Sequence, residues 1–362
     1  MPLRRLDTRT LSVGRGSCPA LMVVRNEALR LPFVLDYHRD LGVERFFVVD
    51  NGSTDGSLEF LLSQPDCYVF RTEESFRDAN FGMDWINGLA ERLPAGTWCL
   101  FIDADELLVY PHSESLKLPR FCAFLNEAGS EGLSTLMLDM YNAGPIRDAK
   151  YETGTSFLTT CPHFDRTYRE RPSLVPGHEP EIVGGPRQRL FYPELARTGR
   201  LGMAMRRALR SLRLNPIGSH LGLDRTRLGA GLPPELRKVP LLKVRPGLRW
   251  IGNHLTTPFI PAPVTGILLH FKFFSDFHAR AVQEAARGQH WDGAAEYARY
   301  AAIIAARPET GFFHAESETF TSSTQLVALG LMRDSLRLGR ALDGMHSLRQ
   351  VLFAQPRGRQ AL

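Results

Sequence analysis

Short apolar runs alternate with helical patterns along the first 110 residues. Ala20-Leu21-Met22-Val23-Val24 reads as a buried strand ending at Arg25-Asn26-Glu27. Leu31, Val34, Leu35, His38 and Leu41 then fall at helical spacing, and Gly42 supplies the stop. Arg45-Phe46-Phe47-Val48-Val49 predicts a second strand, followed by Asp50-Asn51-Gly52-Ser53-Thr54-Asp55-Gly56 and a helix carrying Leu58, Leu61 and Leu62. Cys67-Tyr68-Val69-Phe70 predicts a third strand ending at Arg71, and a helix around 79–92 leads to a fourth, Trp98–Ile102. That fourth strand runs into Asp103-Ala104-Asp105-Glu106. Strands alternating with helices predict right-handed βαβ units and a parallel sheet. Ligands of open α/β sheets bind outside the carboxyl ends of the strands. Asn26/Glu27, Asp50–Asp55, Arg71 and Asp103–Glu106 are therefore expected on one edge.

The pattern loosens after residue 110. Leu133–Tyr141 predicts a further strand, with Asp139 near its end. Residues 142–200 are rich in Pro and Gly and suit loops and short strands. Leu201, Met205, Leu209 and Leu212 have helical spacing within a basic stretch, 197–213, which contains six Arg residues and no carboxylate. It reads as a solvated helix, an acceptor-side lid or a peripheral contact with an anionic membrane. A Gly/Pro-rich stretch, 229–240, follows. Ile267-Leu268-Leu269 then predicts a strand ending at His270-Phe271-Lys272, and the chain reads as helical from about 276, with a helix near 323–352. The expected organisation is a lead-in (1–18), one α/β domain (19–275) and a helical C-terminal extension (276–362).

Composition narrows the class. The chain has 362 residues, 43% hydrophobic and 23% charged, enough for a sizeable core. The formal charge of +5 permits an anionic partner without naming one. Five widely spaced cysteines with no C-x-x-C pattern suit a reducing compartment rather than a disulfide scaffold or zinc site. With no 18-residue apolar stretch and no apolar leader, a cytoplasmic location is expected, peripheral to the inner face of the plasma membrane if the basic stretch docks there.

Chemistry concentrates at the acidic box. Three carboxylates within four residues repel, so a positive partner is expected. Hard oxygen donors suit Mg²⁺ or Mn²⁺ shared with a diphosphate. The competing reading is a set of helix caps and solvated turns, and Asp55 or Ser57 as a helix cap competes in the same way at the second strand. No G-x-G-x-x-G follows the first strand, and no P-loop, G-x-S-x-G or H-E-x-x-H motif occurs.

Val23-Val24-Arg25-Asn26-Glu27, Val48–Gly56 and Phe101-Ile102-Asp103-Ala104-Asp105-Glu106, in this order and spacing, resemble the N-terminal half of bacterial family-2-type glycosyltransferases of the GT-A fold. The chain is more distantly similar to family-92 transferases. Asn80 and Trp85, Gly184–Arg189, Lys238-Val239-Pro240-Leu241, His254 and Leu269-His270-Phe271-Lys272 also fit the pattern. The resemblance covers roughly residues 20–305, most strongly up to 110.

The resemblance implies a mixed α/β sheet flanked by helices. Residues 19–110 would be the nucleotide-binding half and 111–275 the acceptor half. It implies transfer of a sugar from a nucleotide sugar, UDP-linked, to a glycan, lipid-linked or other hydroxyl acceptor in surface polysaccharide synthesis, with no nucleic acid partner. Asp105 would bind Mn²⁺ or Mg²⁺. Asp103 would hold ribose or a metal-bound water, and Asn26, Glu27, Asp50, Asn51, Asp55, Arg71 and Asn80 would serve the nucleotide. His270 is a candidate third ligand with His254 as competitor, and Lys272 a candidate neutraliser of the diphosphate. Against this stands a half-buried histidine beside a surface lysine. Arg187 and Arg189 read either as a grip on an anion or as a solvated turn. Asp139, Asp165, Glu179 and Glu181 compete as the base for the acceptor hydroxyl. The Q-x-x-R-W box of processive synthases is absent, which favours single addition. A nucleotide- or glycan-binding protein without turnover is the alternative from another class, and nucleotidyl transfer to a sugar phosphate ranks below both.

Overall fold

The structure, a computed structural model, describes residues 3–171, 179–193, 234–336 and 338. The basic stretch 197–213 and half of the helix expected near 323–352 lie outside the described residues. In the described half a helix covers Ser323–Ala328 and stops at Leu329 and Gly330 (φ 72°), where a left-handed glycine ends it. The strands in chain order are β1 (Arg4–Arg5), β2 (Ala20–Val24), β3 (Phe46–Asp50), β4 (Cys67–Arg71), β5 (Trp98–Phe101), β6 (Glu106–Val109), β7 (Gly132–Asp139), β8 (His163–Asp165), β9 (Tyr168–Arg171), β10 (Glu181–Gly184), β11 (Arg237–Lys243), β12 (Trp250–Gly252), β13 (Leu255–Thr256), β14 (Gly266–His270) and β15 (Ser317–Thr319). The helices are α1 (Leu31–Leu41), α2 (Ser57–Ser63), α3 (Met83–Ala90), α4 (Leu118–Glu127), α5 (Phe157–Thr160), α6 (Gly185–Phe191), α7 (Phe277–Arg287), α8 (Trp291–Ala306) and α9 (Ser323–Ala328).

Among the described residues, nine strands form one mixed sheet in the order β1-β4-β3-β2-β5-β11-β7-β14-β6. β4, β3, β2 and β5 are mutually parallel, and β7 is parallel to β14. β1, β11 and β6 run antiparallel to their neighbours. Helices cover both faces, an α/β arrangement compatible with a Rossmann-like fold. The strands read as continuous apolar runs because both faces are buried. In β2, Ala20, Met22 and Val24 join the core under α1, α2 and α4, while Leu21 joins the core under α3. Phe46/Val48 and Phe47/Val49 divide in the same way. α1 begins with Leu31-Pro32 and ends at Gly42 (φ 104°), where a glycine accepts the left-handed cap.

β11 departs from expectation, since the Gly/Pro-rich reading of 229–240 concealed a central strand. Proline cannot donate to a ladder, and the register between β11 and β7 shifts between Lys238 and Leu241, around Pro240. Antiparallel β11 thus begins at the edge where β2–β5 end, which brings Lys238 to the acidic box. Toward the C-terminus, α7 and α8 pack with α6 in a third apolar cluster of Phe191, Phe273, Phe277 and Tyr300, and they form part of the wall of the main cavity.

Candidate functional site

The acidic box crosses the sheet edge. Residues 102–105 connect β5 to β6, and the strands β11, β7 and β14 lie between the two in the sheet. Asp103 meets the start of β11, where Lys238 Nζ donates to Asp103 Oδ2 at 2.9 Å and to Glu106 Oε2 at 2.7 Å. Asp105 meets the end of β14, its carbonyl accepting from the Phe271 amide at 2.7 Å. Glu106 opens β6, is fully buried, and accepts from the Asp103 amide at 2.9 Å. Burial and the neighbouring aspartates raise its carboxyl to about 7 against the pull of Lys238. Burial opposes the charge of Lys238, but Asp103 and Glu106 outweigh it and hold the ammonium form.

His270 joins the box to a buried relay. Its Nε2 is 3.5 Å from Asp105 Oδ2, and its Nδ1 is 2.7 Å from Asp139 Oδ1. Arg187 Nε donates to Asp139 Oδ2 at 2.7 Å, and Arg187 Nη1 lies 3.8 Å from Glu296 Oε1. Burial works against a charged imidazole, but Asp105 and Asp139 raise it to about 8. Burial also works against the Asp105 carboxylate, yet His270, Arg280 and Arg30 hold it far below the usual carboxylate range.

The residues fit a divalent ion in part. Adjacent donors at about 2.1 Å from an octahedral Mg²⁺ or Mn²⁺ stand about 3 Å apart, close to the Asp105–His270 separation. A carboxylate on the second ring nitrogen of a histidine is the usual support for a metal-binding imidazole, and Asp139 occupies that position. Asp103 does not complete a three-residue cluster with them, because Lys238 holds it. Among the described residues no three His, Cys, Asp or Glu side chains converge on a metal position.

A cavity of about 860 Å³ opens along this edge, lined by Arg25, Glu27, Asn51, Asn80, Asp103, Asp105, Lys238, His254, His270, Lys272 and residues of α7 and α8. Arg280 on α7 grips Glu27, with Nη1 to Oε2 at 2.9 Å. Buried Arg30 reaches Asp276 at 2.8 and 3.0 Å. Lys272 Nζ donates to Tyr297 Oη at 3.2 Å and stands 4.5 Å from the centre of that ring. Among the described residues, eight cationic and eight carboxylate side chains line the cavity, so their formal charges balance with histidines neutral.

Not every sequence candidate faces this space. Asn26 (φ 55°) accepts from the Thr54 amide at 2.8 Å, and Asp55 accepts from Ala28 at 3.0 Å and from the Ser57 hydroxyl at 2.5 Å. Asp50 is buried and accepts from the Ser53 amide at 3.3 Å. These three stitch the turns after β2 and β3 together. Arg71 sits 3.9 Å from Asp50. Asn80 lines the cavity and holds the Ile251 carbonyl at 2.9 Å. His254 also lines it, with Nδ1 2.8 Å from the Arg237 carbonyl, and burial lowers its imidazole to about 4.

The base candidates divide. Asp139 is enclosed by His270 and Arg187. Asp165 binds Tyr141 at 2.5 Å and Arg189 at 3.1 Å, and Glu179 binds Ser134 and lies 3.4 Å from Arg237. Glu181 lines the cavity, 2.7 Å from Arg171. Arg187 is buried and ion-paired, so the solvated-turn reading does not hold for it, whereas Arg189 is exposed and pairs with Asp165 from α6. Sequence reasoning missed Glu296, Arg280 and Arg287. Arg280, Glu284 and Arg287 share one face of α7 by their spacing of four and three, a pattern that was available in the sequence. Comparisons with models of known families and with curated proteins find no match.

Proposed function

We propose that this chain is a metal-dependent glycosyltransferase of GT-A type, taking a nucleoside diphosphate sugar, UDP-linked, and transferring the sugar to a hydroxyl acceptor of glycan or lipid-linked type. The observation that carries this reading is the Asp105–His270 corner, backed by Asp139, at the carboxyl ends of the sheet and open to an 860 Å³ cavity. Asp105 and His270 would hold Mn²⁺ or Mg²⁺, leaving further positions for diphosphate oxygens and water. The ion would act as a Lewis acid for the departing nucleoside diphosphate.

The chain's own residues supply the rest. Asp139 orients the His270 ring, and Arg187 fixes Asp139. Lys238 keeps two crowded carboxylates from repelling the ligand, and Lys272 and Arg280 add positive charge beside the corner. A divalent ion with a doubly charged nucleotide sugar is close to neutral, which suits the balanced charges of the described lining residues. Glu181 and Glu296, both in the cavity wall, are our candidates to take the proton of an acceptor hydroxyl. Burial opposes the Glu296 charge, but Lys272 and Arg187 keep it ionised.

A thermal-shift screen of nucleotides and nucleotide sugars, with and without Mn²⁺, tests the reading. A ligand at a hundred times its Kd adds about 2.7 kcal/mol, a rise of about 3–4 °C for a chain of this length. UDP and its sugars are expected to give that rise only with metal. Equal shifts without metal, or none with any nucleotide, would count against it.

A further inference from the structure

Two guanidinium groups converge on Asn51. Arg25 Nη1 donates to the Asn51 carbonyl at 2.6 Å, and Arg287 Nη2 donates to Asn51 Oδ1 at 3.1 Å. Asn51 is buried, and its amide nitrogen donates to the carbonyls of Thr72 at 3.3 Å and Glu74 at 3.0 Å. That anchoring keeps Oδ1 turned toward Arg287. Gly52 has a φ of +72°, and a Cβ there would lie 3.2 Å from Arg25 Nη1. Glycine at this position leaves room for the arginine.

The local charge is not cancelled. Glu284 is the nearby carboxylate, and it is shared between Arg287 at 3.2 Å and His290 at 2.9 Å. Arg25 has no carboxylate partner among the described residues, and it gives one of its five N–H donors to Asn51. Like charges are brought together on a fixed acceptor, and both arginines line the same cavity. An oxyanion between them would receive charge-assisted bonds from two directions.

We propose that Arg25 and Arg287 form an oxyanion subsite that takes a phosphoryl or carboxylate group of the ligand without a metal ion. Arg287 follows Arg280 by seven residues of α7, about 10 Å of helical rise. Arg280 faces Glu27 and contributes to the field on Asp105. The subsite is therefore a second anion position, separate from the Asp105–His270 corner. A ligand filling both carries two anionic groups. This inference does not depend on glycosyl transfer, since a non-catalytic binding protein with the same cavity would have the same subsite.

The test titrates the full chain in EDTA with inorganic phosphate and, separately, acetate, at constant ionic strength set with chloride. Binding is followed by calorimetry and thermal shift. The wild type is expected to bind one of these anions, R25Q and R287Q to lose at least tenfold in affinity, and R25K to recover part of it. D105N is expected to bind as the wild type does. Tighter phosphate assigns the subsite to a phosphoryl group, and tighter acetate assigns it to a carboxylate. Arg25 is exposed, so R25Q is expected to melt with the wild type in chloride. Unchanged affinity in both arginine variants, or loss in D105N alone, overturns the proposal, as does a wild type that binds neither anion.

Discussion

Replacing Lys238 with methionine removes the cation that two carboxylates share. Its side chain is 1% exposed, and Glu106 beside it is fully buried. Truncating one partner of a buried ion pair costs about 3–5 kcal/mol, because a charge is left without compensation. The unfolding entropy of a 362-residue chain, at about 2.1 cal/mol/K per residue, converts this into a midpoint drop of about 4–7 °C. The penalty has a pH signature. Glu106 is raised from 4.5 to about 7 even with Lys238 present, and losing the lysine moves it higher. A carboxyl raised in the folded state contributes stability that is complete below 4.5 and fades as pH climbs through the folded value. K238M is therefore expected to lose least near pH 5 and most near pH 8. Adding E106Q is expected to recover much of the loss at pH 8 and little at pH 5. Thermal melts of the two single variants and the double variant at both pH values decide this. A K238M midpoint within 1 °C of wild type at pH 8, or a loss that E106Q leaves unchanged, refutes the reasoning.

Three further outcomes follow from other parts of the molecule. D139N is expected to weaken the proposed Mn²⁺-dependent UDP binding by about 10–100-fold, because His270 loses the carboxylate that orients it; calorimetry of the folded variant checks this. His38 is buried, with Nδ1 2.7 Å from the Val34 carbonyl, and burial lowers its imidazole from 6.5 to about 4. The unfolded chain thus binds the extra proton, and stability falls as pH drops from 6.5 toward 4, by about 2 kcal/mol at pH 5; denaturant melts of H38L are expected to lack this slope. G311A sets a Cβ 2.7 Å from the Gly144 carbonyl oxygen, a backbone atom that cannot yield easily, and is expected to cost about 1–3 kcal/mol in a denaturant titration.

The front half of the molecule was legible because four parallel strands, apolar on both faces, announce themselves as continuous runs. The polar residues that follow such runs share an edge by topology alone, which is why Asp103 and Asp105 were found. What each side chain does there was less legible. Asn26, Asp50 and Asp55 carry the residue types expected of a ligand site, yet they bind backbone amides of the two adjoining turns, and sequence alone offers both uses. β11 was hidden by Pro240, whose missing N–H argues against a central strand unless the register shifts, as it does here. With β11 unseen, Lys238 has no route to the acidic box, and the positive partners that three crowded carboxylates demand are sought in a metal, His270 and Lys272 instead. Glu296 lies in an Ala-rich helix and carries no motif. Its relation to Arg187 and Lys272 arises from long-range packing of α8 on α6 and on the segment that follows β14.

The most direct test of the proposed chemistry is a calorimetric titration of UDP into wild type and D105N, each with and without Mn²⁺. The account predicts binding by the wild type in Mn²⁺ alone and its loss in D105N, with both proteins equally folded. Binding of UDP by D105N with wild-type affinity, or by the wild type equally well in EDTA, would contradict it.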